Sequence, residues 1–368
     1  MSRPVYIIAA RRSIIAPRNG ALAHLKLHQL AAPVLQAALS DARLASDQVD
    51  DVVCGNALGA GGNPARLVAL AAGLPQHVAG LSIDRQCCSG LDALLLGEAM
   101  IASGQAEIII AGGVESYSQR PYRAHQNRDG ILLAYDRPAF TPWPERDPEM
   151  VLAADNLSKK LAIGRQQQDH WTIQSHAKAL AARDDLATEI CRITAELPNF
   201  DSYTRDLSTR ACSRAPKLAG SITQANTAVA ADGAAFCVLC ATPATQASAV
   251  ELVGGITVGS TPDLPGLAPV IAIQHLLQRH QISVAKLTHV EIMEAFAVQA
   301  LACIHKSGLD PAQVNCQGGA LARGHPIGAS GAVLAVRLFH NLQKQPGSGL
   351  AAIAAAGGLG TAALMRRI

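Results

Sequence analysis

The 368-residue sequence is poor in aromatic and charged side chains, which make up only 3% and 16% of its residues. Its formal net charge is +3, and it contains no run of Lys and Arg and no basic segment interleaved with aromatics. A nucleic-acid partner is therefore not expected, because such surfaces need clustered positive charge. No segment reaches the roughly 18 consecutive apolar residues that span a bilayer, so no membrane partner is expected either.

Several chemical signatures are also missing. None of the 12 His residues forms an HExxH pair, there is no GxxxxGK[ST] phosphate loop, and the glycines between Gly59 and Gly62 lack GxGxxG spacing. The CxxC from Cys237 to Cys240 has no second pair and lies in an apolar run, so packing is the preferred interpretation. We therefore expect no metal and no tightly bound cofactor.

The N-terminal residues MSRPVYIIAARRS do not resemble a secretory signal, because their paired arginines follow a short apolar run instead of preceding a long one. The 9 cysteines are then more consistent with reduced thiols than with a disulfide framework. We expect a cytoplasmic protein.

What the sequence does contain is an internal repeat. The segments APVLQAALSD and APVIAIQHLL each begin a helix-period apolar pattern, followed by a polar turn and a short β-branched run. Val52 precedes Cys87 by 35 positions, and Val290 precedes His325 by 35. Both Cys87 and His325 also come shortly before a Ser-Gly pair and an Ala/Leu-rich helical pattern. A duplicated fold would bring this thiol and imidazole together, which indicates Cys/His acyl-transfer chemistry.

Continuous apolar strands alternate with helical patterns in both halves, which favours a sheet covered on both faces. We predict an α/β fold in which two duplicated βαβαβ-type halves form five layers, α/β/α/β/α, plus an inserted loop domain. The predicted boundaries are an N-terminal half over 1–116, the loop domain over 117–219, a return segment over 220–249 that completes the N-terminal half, and a C-terminal half over 250–368. The loop domain does not fit the repeat and contains the Pro- and Arg-rich stretch RPAFTPWPERDP.

Six segments, in order, resemble the thiolase family over essentially the whole chain. They are GGNPARLVALAAGLP (61–75), DRQCCSGLDA (84–93), AGGVESYS (111–118), ITQANTAVAADGAA (222–235), MEAFA (293–297) and NCQGGALARGHPIGASG (315–331). Asp84 stands where the family usually has Asn. A single segment of this kind would be weak evidence, but six in register favour the thiolase-like fold strongly.

The resemblance implies a covalent acyl intermediate on Cys87, with His325 as base and then as part of an oxyanion site. It also implies a second oxyanion hole made by the backbone N–H groups of Cys87 and Ala356. A thiol at the N-terminus of a buried helix is expected to ionise more readily, because the helix macrodipole favours the thiolate. The implied substrate is a coenzyme A thioester or another pantetheine thioester, and the implied assembly is a homodimer or homotetramer.

Four family positions carry altered residues, and we expect them to line the site. Ala354 stands where the second catalytic cysteine of the C-x-G-G-G-x-G motif belongs, so the usual acid/base for the substrate α-carbon is absent. Met293 replaces an Asn that holds a water in the first oxyanion hole, and a thioether cannot hold a water by a strong hydrogen bond. Glu149 stands at a common His, and Gly254 at a pantetheine-contacting Ser.

The leading hypothesis is an acetyl-CoA C-acyltransferase-like enzyme that works through acyl-Cys87, with a non-standard net reaction because of Ala354. Transfer to a nucleophile that needs no α-proton removal, thioester hydrolysis and cleavage of an unusual β-keto substrate all fit. The alternative is a catalytically weak subunit that binds coenzyme A or acts as a scaffold. A decarboxylating condensing enzyme ranks lowest, since such enzymes usually have His at the position of Met293.

Overall fold

The computed structural model describes residues 3–59, 61–242 and 249–367. Its strands are β1 (Tyr6–Arg12), β2 (Ala16–Pro17), β3 (Asp51–Gly55), β4 (Leu81–Ile83), β5 (Ile108–Glu115), β6 (Ala124–Gln126), β7 (Leu132–Ala134), β8 (Lys217–Ala219), β9 (Ile222–Thr223), β10 (Ala231–Cys240), β11 (Val250–Gly259), β12 (Leu287–Ile292), β13 (Gly347–Ala355) and β14 (Leu359–Arg367). Its α-helices are α1 (Leu27–Ala42), α2 (Pro64–Ala71), α3 (Ser89–Ala102), α4 (Met150–Leu161), α5 (Arg165–Ala181), α6 (Arg183–Ala187), α7 (Thr209–Arg214), α8 (Ala268–Arg279), α9 (Ala297–Ser307), α10 (Ala320–Arg323) and α11 (Ile327–Lys344).

The two halves of the chain form matching half-sheets. The N-terminal half-sheet has the order β4-β3-β5-β10-β1, and the C-terminal one has the order β12-β13-β14-β11. In both half-sheets one equivalent pair is parallel, β3 with β5 and β12 with β13. The strands that follow toward the centre of the sheet pair antiparallel, β5-β10-β1 and β13-β14-β11. The counterpart of β4 is a single parallel bridge between Val290 and Val314. The internal repeat therefore corresponds to a structural duplication.

The half-sheets meet along a short edge and enclose a central helical layer. Strands β1 and β11 pair only through Tyr6 with Glu251 and Ile7 with Val250. Helices α3 and α11 pack on each other and contact strands of both half-sheets, whereas α1 covers the outside of the N-terminal half and α8 the outside of the C-terminal half. The order α/β/α/β/α confirms the predicted five-layer α/β fold.

The Ser-Gly pairs that follow Cys87 and His325 let the two central helices approach closely. A Cβ added to Gly90 of α3 would lie 2.7 Å from the backbone nitrogen of Ala332 in α11. One added to Gly331 of α11 would lie 2.4 Å from the backbone nitrogen of Leu91 in α3. Because larger side chains would force the helices apart, these glycines bring the starts of α3 and α11 together.

The residues between β5 and β10 leave the sheet and carry α4 to α7 with two small hairpins, β6-β7 and β8-β9. Helices α4 and α5 of this segment pack on α9 of the C-terminal half. The predicted return segment includes residues 243–248, which lie outside the described residues. Among the residues that the structure describes, no helix is both long enough and apolar enough to cross a bilayer.

Candidate active site

Cys87 and His325 lie in contact between the two half-sheets. The Cys87 Sγ is 3.1 Å from the His325 Nε2. Cys87 lies in the turn that leads into α3, directly after Gln86, whose φ of 53° is in the left-handed region. His325 lies between α10 and α11, and its backbone N–H donates to the Val229 carbonyl at 2.8 Å. Each half therefore presents its reactive side chain from the loop before a central helix.

Ser330 determines which nitrogen of His325 carries the ring proton. The His325 Nδ1 is 2.6 Å from the Ser330 Oγ, and that hydroxyl donates to the Pro326 carbonyl at 3.0 Å. Since the hydroxyl proton is used by Pro326, the oxygen accepts from Nδ1–H, which places the ring proton on Nδ1. The unprotonated Nε2 is then free to accept the proton of Cys87.

Burial sets the resting charges of this pair. It raises the pKa of the Cys87 thiol to about 12 and lowers the pKa of the His325 imidazole to about 4. Both groups are therefore neutral near pH 7, which corrects the expectation that the helix favours a resting thiolate. The main reason is that burial disfavours the charged thiolate. In addition, Cys88 is the N-cap of α3, so Cys87 lies before the first turn of the helix, and the helix dipole acts most strongly within that turn.

A buried carboxylate ties the histidine loop to the N-terminal half-sheet. Glu115, at the end of β5, accepts backbone N–H groups from Ala57 at 2.9 Å and Gly328 at 3.0 Å. The Asn56 side-chain amide donates to it at 2.7 Å. Gly328 is the second residue of α11, so this carboxylate fixes the start of the helix that follows His325. Burial raises the pKa of Glu115 to about 7.

Replacing Glu115 with Gln is expected to lower the free energy of unfolding by about 1–3 kcal/mol, because the amide NH₂ would face N–H donors. The folded pKa of about 7 lies above the ordinary value of 4.5. Stability from Glu115 is therefore full below about pH 4.5 and is lost as the pH rises through 7. Urea unfolding at pH 5 and pH 8 should show the larger cost at pH 5. Glu107→Gln, which removes an exposed ion pair with Arg3, is the control and should lower the free energy of unfolding much less than Glu115→Gln at both pH values. Equal losses for the two variants would contradict this role of Glu115.

The catalytic pair opens into a cavity of about 230 Å³, which we call the catalytic cavity. The structure brings four of the sequence-predicted residues together here: Cys87, His325, Ala354 and Ala356. Ala354 pairs with Gly360 one residue before β13 ends, and Ala356 lies in the turn between β13 and β14. The remaining lining is mostly apolar and includes Phe140, Met150, Ala153, Ala154, Leu157, Pro265, Ala295, Phe296 and Ile327, with Gln86, Tyr117, Thr227, Ala228, Gly266, Gln299 and Ala355.

Met293 does not line the catalytic cavity, contrary to expectation. It directly follows β12, is 1% exposed and lines a separate small cavity together with Pro326 and Ser330. It therefore lies behind the His325 loop, and the later residues Ala295 and Phe296 reach the catalytic cavity instead.

Glu149 and Gly254 also lie away from the cavity. Glu149 is the exposed N-cap of α4, whose cavity face is formed by residues 150, 153, 154 and 157 at helical spacing. Gly254 follows a register shift in β11, and a Cβ added there would lie 3.3 Å from the His280 imidazole, on the outer side of the half-sheet. Of the four altered residues, only Ala354 therefore lines the catalytic cavity.

Sequence reasoning missed several residues that form the site. In the sequence, Ser330 stands out only as part of a Ser-Gly pair, and nothing in its spacing indicates a bond to His325. Tyr117 lies two residues beyond β5, and its position at the cavity depends on the path of the inserted segment. Within the described residues, no group of His, Cys, Asp and Glu side chains could hold a metal ion.

The duplicated five-layer fold and the Cys–His pair at its centre define a thiolase-like α/β protein. Family comparisons agree: the thiolase N-terminal domain matches residues 5–243, and the thiolase C-terminal domain matches residues 246–367. The chain therefore belongs to the thiolase family.

Similar proteins span nearly the same length. A Bacillus subtilis (strain 168) protein named putative acetyl-CoA C-acetyltransferase YhfS is 37% identical over 97% of this chain and 98% of its own. The Staphylococcus aureus (strain MRSA252) protein named putative acetyl-CoA C-acetyltransferase VraB is 36% identical over 98% of each chain. The crystal structure of the Bacillus anthracis acetyl-CoA acetyltransferase matches with a TM-score of 0.91 and 33% identity, over 100% of this chain and 99% of that one.

Proposed function

We propose that this protein is an acyl-CoA acyltransferase that forms an acyl thioester on Cys87. The observation that carries the proposal is the 3.1 Å contact between the Cys87 Sγ and the unprotonated His325 Nε2 at the wall of the catalytic cavity. The names of the similar proteins, which specify acetyl-CoA C-acetyltransferases, support the same class of reaction.

The acylation step uses this chain's own groups. The Cys87 thiol gives its proton to His325 as the sulfur attacks the thioester carbonyl carbon. The backbone N–H groups of Cys87 and Ala356 stabilise the oxyanion, a role that needs no particular side chain. The carbon–sulfur bond to coenzyme A then breaks, and His325 returns the proton to the leaving thiolate. No tightly bound cofactor takes part.

The net reaction that we propose avoids proton removal from an α-carbon. Among the described residues that line the catalytic cavity, the titratable side chains are Cys87, His325 and Tyr117. Burial raises the pKa of Tyr117, so its phenol stays protonated near neutral pH and cannot act as a base. With Ala354 in place of a second thiol, acyl transfer to a nucleophile such as a thiol, amine, alcohol or water is the simpler outcome.

Intact-mass measurement after incubation with acetyl-CoA tests the proposal. The expected result is an adduct of one acetyl group, located on the Cys87 peptide and absent from Cys87→Ser. Cys316→Ser removes an exposed thiol and should leave the adduct unchanged. No adduct, or one that persists in Cys87→Ser, would overturn the acyl-cysteine mechanism.

We further propose that the protein forms a homodimer or homotetramer. Strand β4 is the outer strand of the N-terminal half-sheet, and Leu67, Leu70 and Leu81 on α2 and β4 are each at least 40% exposed. A sheet edge flanked by exposed leucines favours pairing with a second copy. Light scattering should give the mass of a dimer or tetramer, and a monomer at micromolar concentration would contradict the proposal.

A further inference from the structure

A second cavity, of about 570 Å³, lies beside the catalytic cavity. Its lining includes Arg18, Arg120, Arg123, Tyr135 and Asp136, and we call it the arginine cavity. Tyr117 lines both cavities, so the cavity of the reactive thiol and the cavity of the arginines are neighbours that share this side chain.

The positive charge of the arginine cavity is only partly neutralised. Arg120 pairs with Asp136 at 2.8 Å, but that carboxylate is 86% exposed and the pair is a weak surface contact. Arg123 donates to the backbone carbonyls of Ala57 and Leu58, which are neutral. Within the described residues, the Arg18 guanidinium forms no hydrogen bond or ion pair. Three guanidinium groups therefore face a single carboxylate, which favours an anion with planar oxygens.

Tyr117 connects the two cavities electrostatically. Burial raises the pKa of Tyr117, the active-site groups Cys87 and Glu115 raise it further, and Arg120 and Arg18 of the arginine cavity lower it. All four groups are thus close enough to Tyr117 for their charges to be felt there. A chain attached to Cys87 that passes Tyr117 would carry its far end to the arginines.

We propose that the arginine cavity binds the distal carboxylate of the acyl chain, so that the substrates are thioesters of dicarboxylic acids. The inference rests on the proposed acyl-Cys87 intermediate and specifies its acyl group. The pantetheine arm and the acyl arm leave the thioester in different directions. The catalytic cavity, with apolar walls from Phe140, Met150 and Leu157, suits the neutral pantetheine arm. The remaining direction, past Tyr117, leads to the positive charge.

The covalent step is the same thioester exchange. The bond between the Cys87 sulfur and the acyl carbon forms, the bond between coenzyme A sulfur and that carbon breaks, and the thiol proton passes through His325 to coenzyme A. The distal carboxylate is unchanged and only positions the chain. Its two oxygens can accept from Arg18 and Arg120, and the Tyr117 hydroxyl can donate to it.

The test compares acylation rates with adipyl-CoA and hexanoyl-CoA, which have equal chain lengths and differ in the distal group. We expect adipyl-CoA to acylate Cys87 about 10- to 100-fold faster, as for hydrogen bonds to a charged group. Arg18→Gln and Arg120→Gln should each reduce the ratio of the adipyl rate to the hexanoyl rate, and the double variant should bring this ratio to about one. Arg120→Lys, which keeps the charge, should retain part of the preference. Arg128→Gln, in the exposed turn of the β6-β7 hairpin and outside the lining of the cavity, is the matched control.

Equal rates for adipyl-CoA and hexanoyl-CoA, with a normal acetyl adduct, would overturn this inference alone. A preference that survives the double variant would overturn the assignment to the arginine cavity. The other anions that the arginines could bind are the phosphates of coenzyme A. Thioesters of pantetheine, which lacks those phosphates, test this alternative. If the arginine variants weaken only the coenzyme A thioesters and leave the adipyl preference intact, the cavity binds phosphate and the inference is wrong. Absence of every adduct, acetyl included, would overturn the proposed function together with this inference.

Discussion

Replacement of His325 with Asn is expected to slow the acylation of Cys87 by about 10²- to 10⁴-fold at pH 7, the usual contribution of a positioned general base. Asn has a similar size and can still bond to Ser330, but it cannot accept a proton from the thiol. The measurement is the single-turnover rate of adduct formation with acetyl-CoA. His305→Asn, at an exposed position on α9, is the matched control and should leave the rate unchanged.

The pH dependence of the two proteins should separate a catalytic role of His325 from a structural one. With the pKa of His325 at about 4, the imidazole of the wild type stays neutral from pH 6 to 9 and remains able to accept the proton. The variant depends on direct ionisation of Cys87, whose pKa of about 12 leaves few thiolates at neutral pH. The ratio of variant rate to wild-type rate should therefore rise by about tenfold for each pH unit. Because both proteins keep Glu115, its titration largely cancels in this ratio. A ratio that does not change with pH would contradict the role of His325 as the base.

The layered fold could be predicted from the sequence because a duplicated fold repeats its apolar pattern. Val52 lies in β3 and Val290 in β12, and these two strands occupy the same place in their half-sheets. Since Cys87 and His325 follow these valines at the same distance in sequence, they lie in equivalent loops. Close packing of α3 on α11 then brings the two side chains into contact. Periodicity could not predict that the C-terminal counterpart of β4 is only a single bridge at Val314.

The lining of the site could be predicted less well, because a side chain's direction depends on local geometry. Glu149 is adjacent in sequence to Met150, yet only Met150 falls on the face of α4 that lines the cavity. A register shift in β11 precedes Gly254, and such shifts re-aim side chains without leaving a clear mark in sequence. The expected ionisation of Cys87 was wrong for a different reason. Burial raises the pKa of the thiol by more than the helix terminus lowers it, and burial cannot be read from the sequence.

Replacement of Ala354 with Cys is expected to increase the thiolysis of acetoacetyl-CoA by about 10²- to 10⁴-fold, because it restores a thiol at the altered family position in the catalytic cavity. Ala354 is half-buried and faces the same cavity as Cys87 and His325, so a thiol there can reach the α-carbon of a bound thioester. The measurement is the loss of acetoacetyl-CoA absorbance in the presence of coenzyme A. Ala354→Ser has similar bulk but a hydroxyl that does not act as an acid or base near neutral pH, so it should give no gain.

The Ala354 variants also distinguish the proposed acyltransferase from a scaffold subunit. A gain in Ala354→Cys alone would show that oxyanion stabilisation and acylation are intact and that the missing thiol limits carbon–carbon chemistry. Rapid thiolysis by the unmodified protein would contradict the non-standard net reaction, since another group would then remove the α-proton. If Ala354→Cys forms the acetyl adduct but gains no thiolysis, the thiol is not the limiting group. The buried Met293, on the far side of the His325 loop, would then become the next residue to replace, since Asn there could hold a water against Ser330 and the ring.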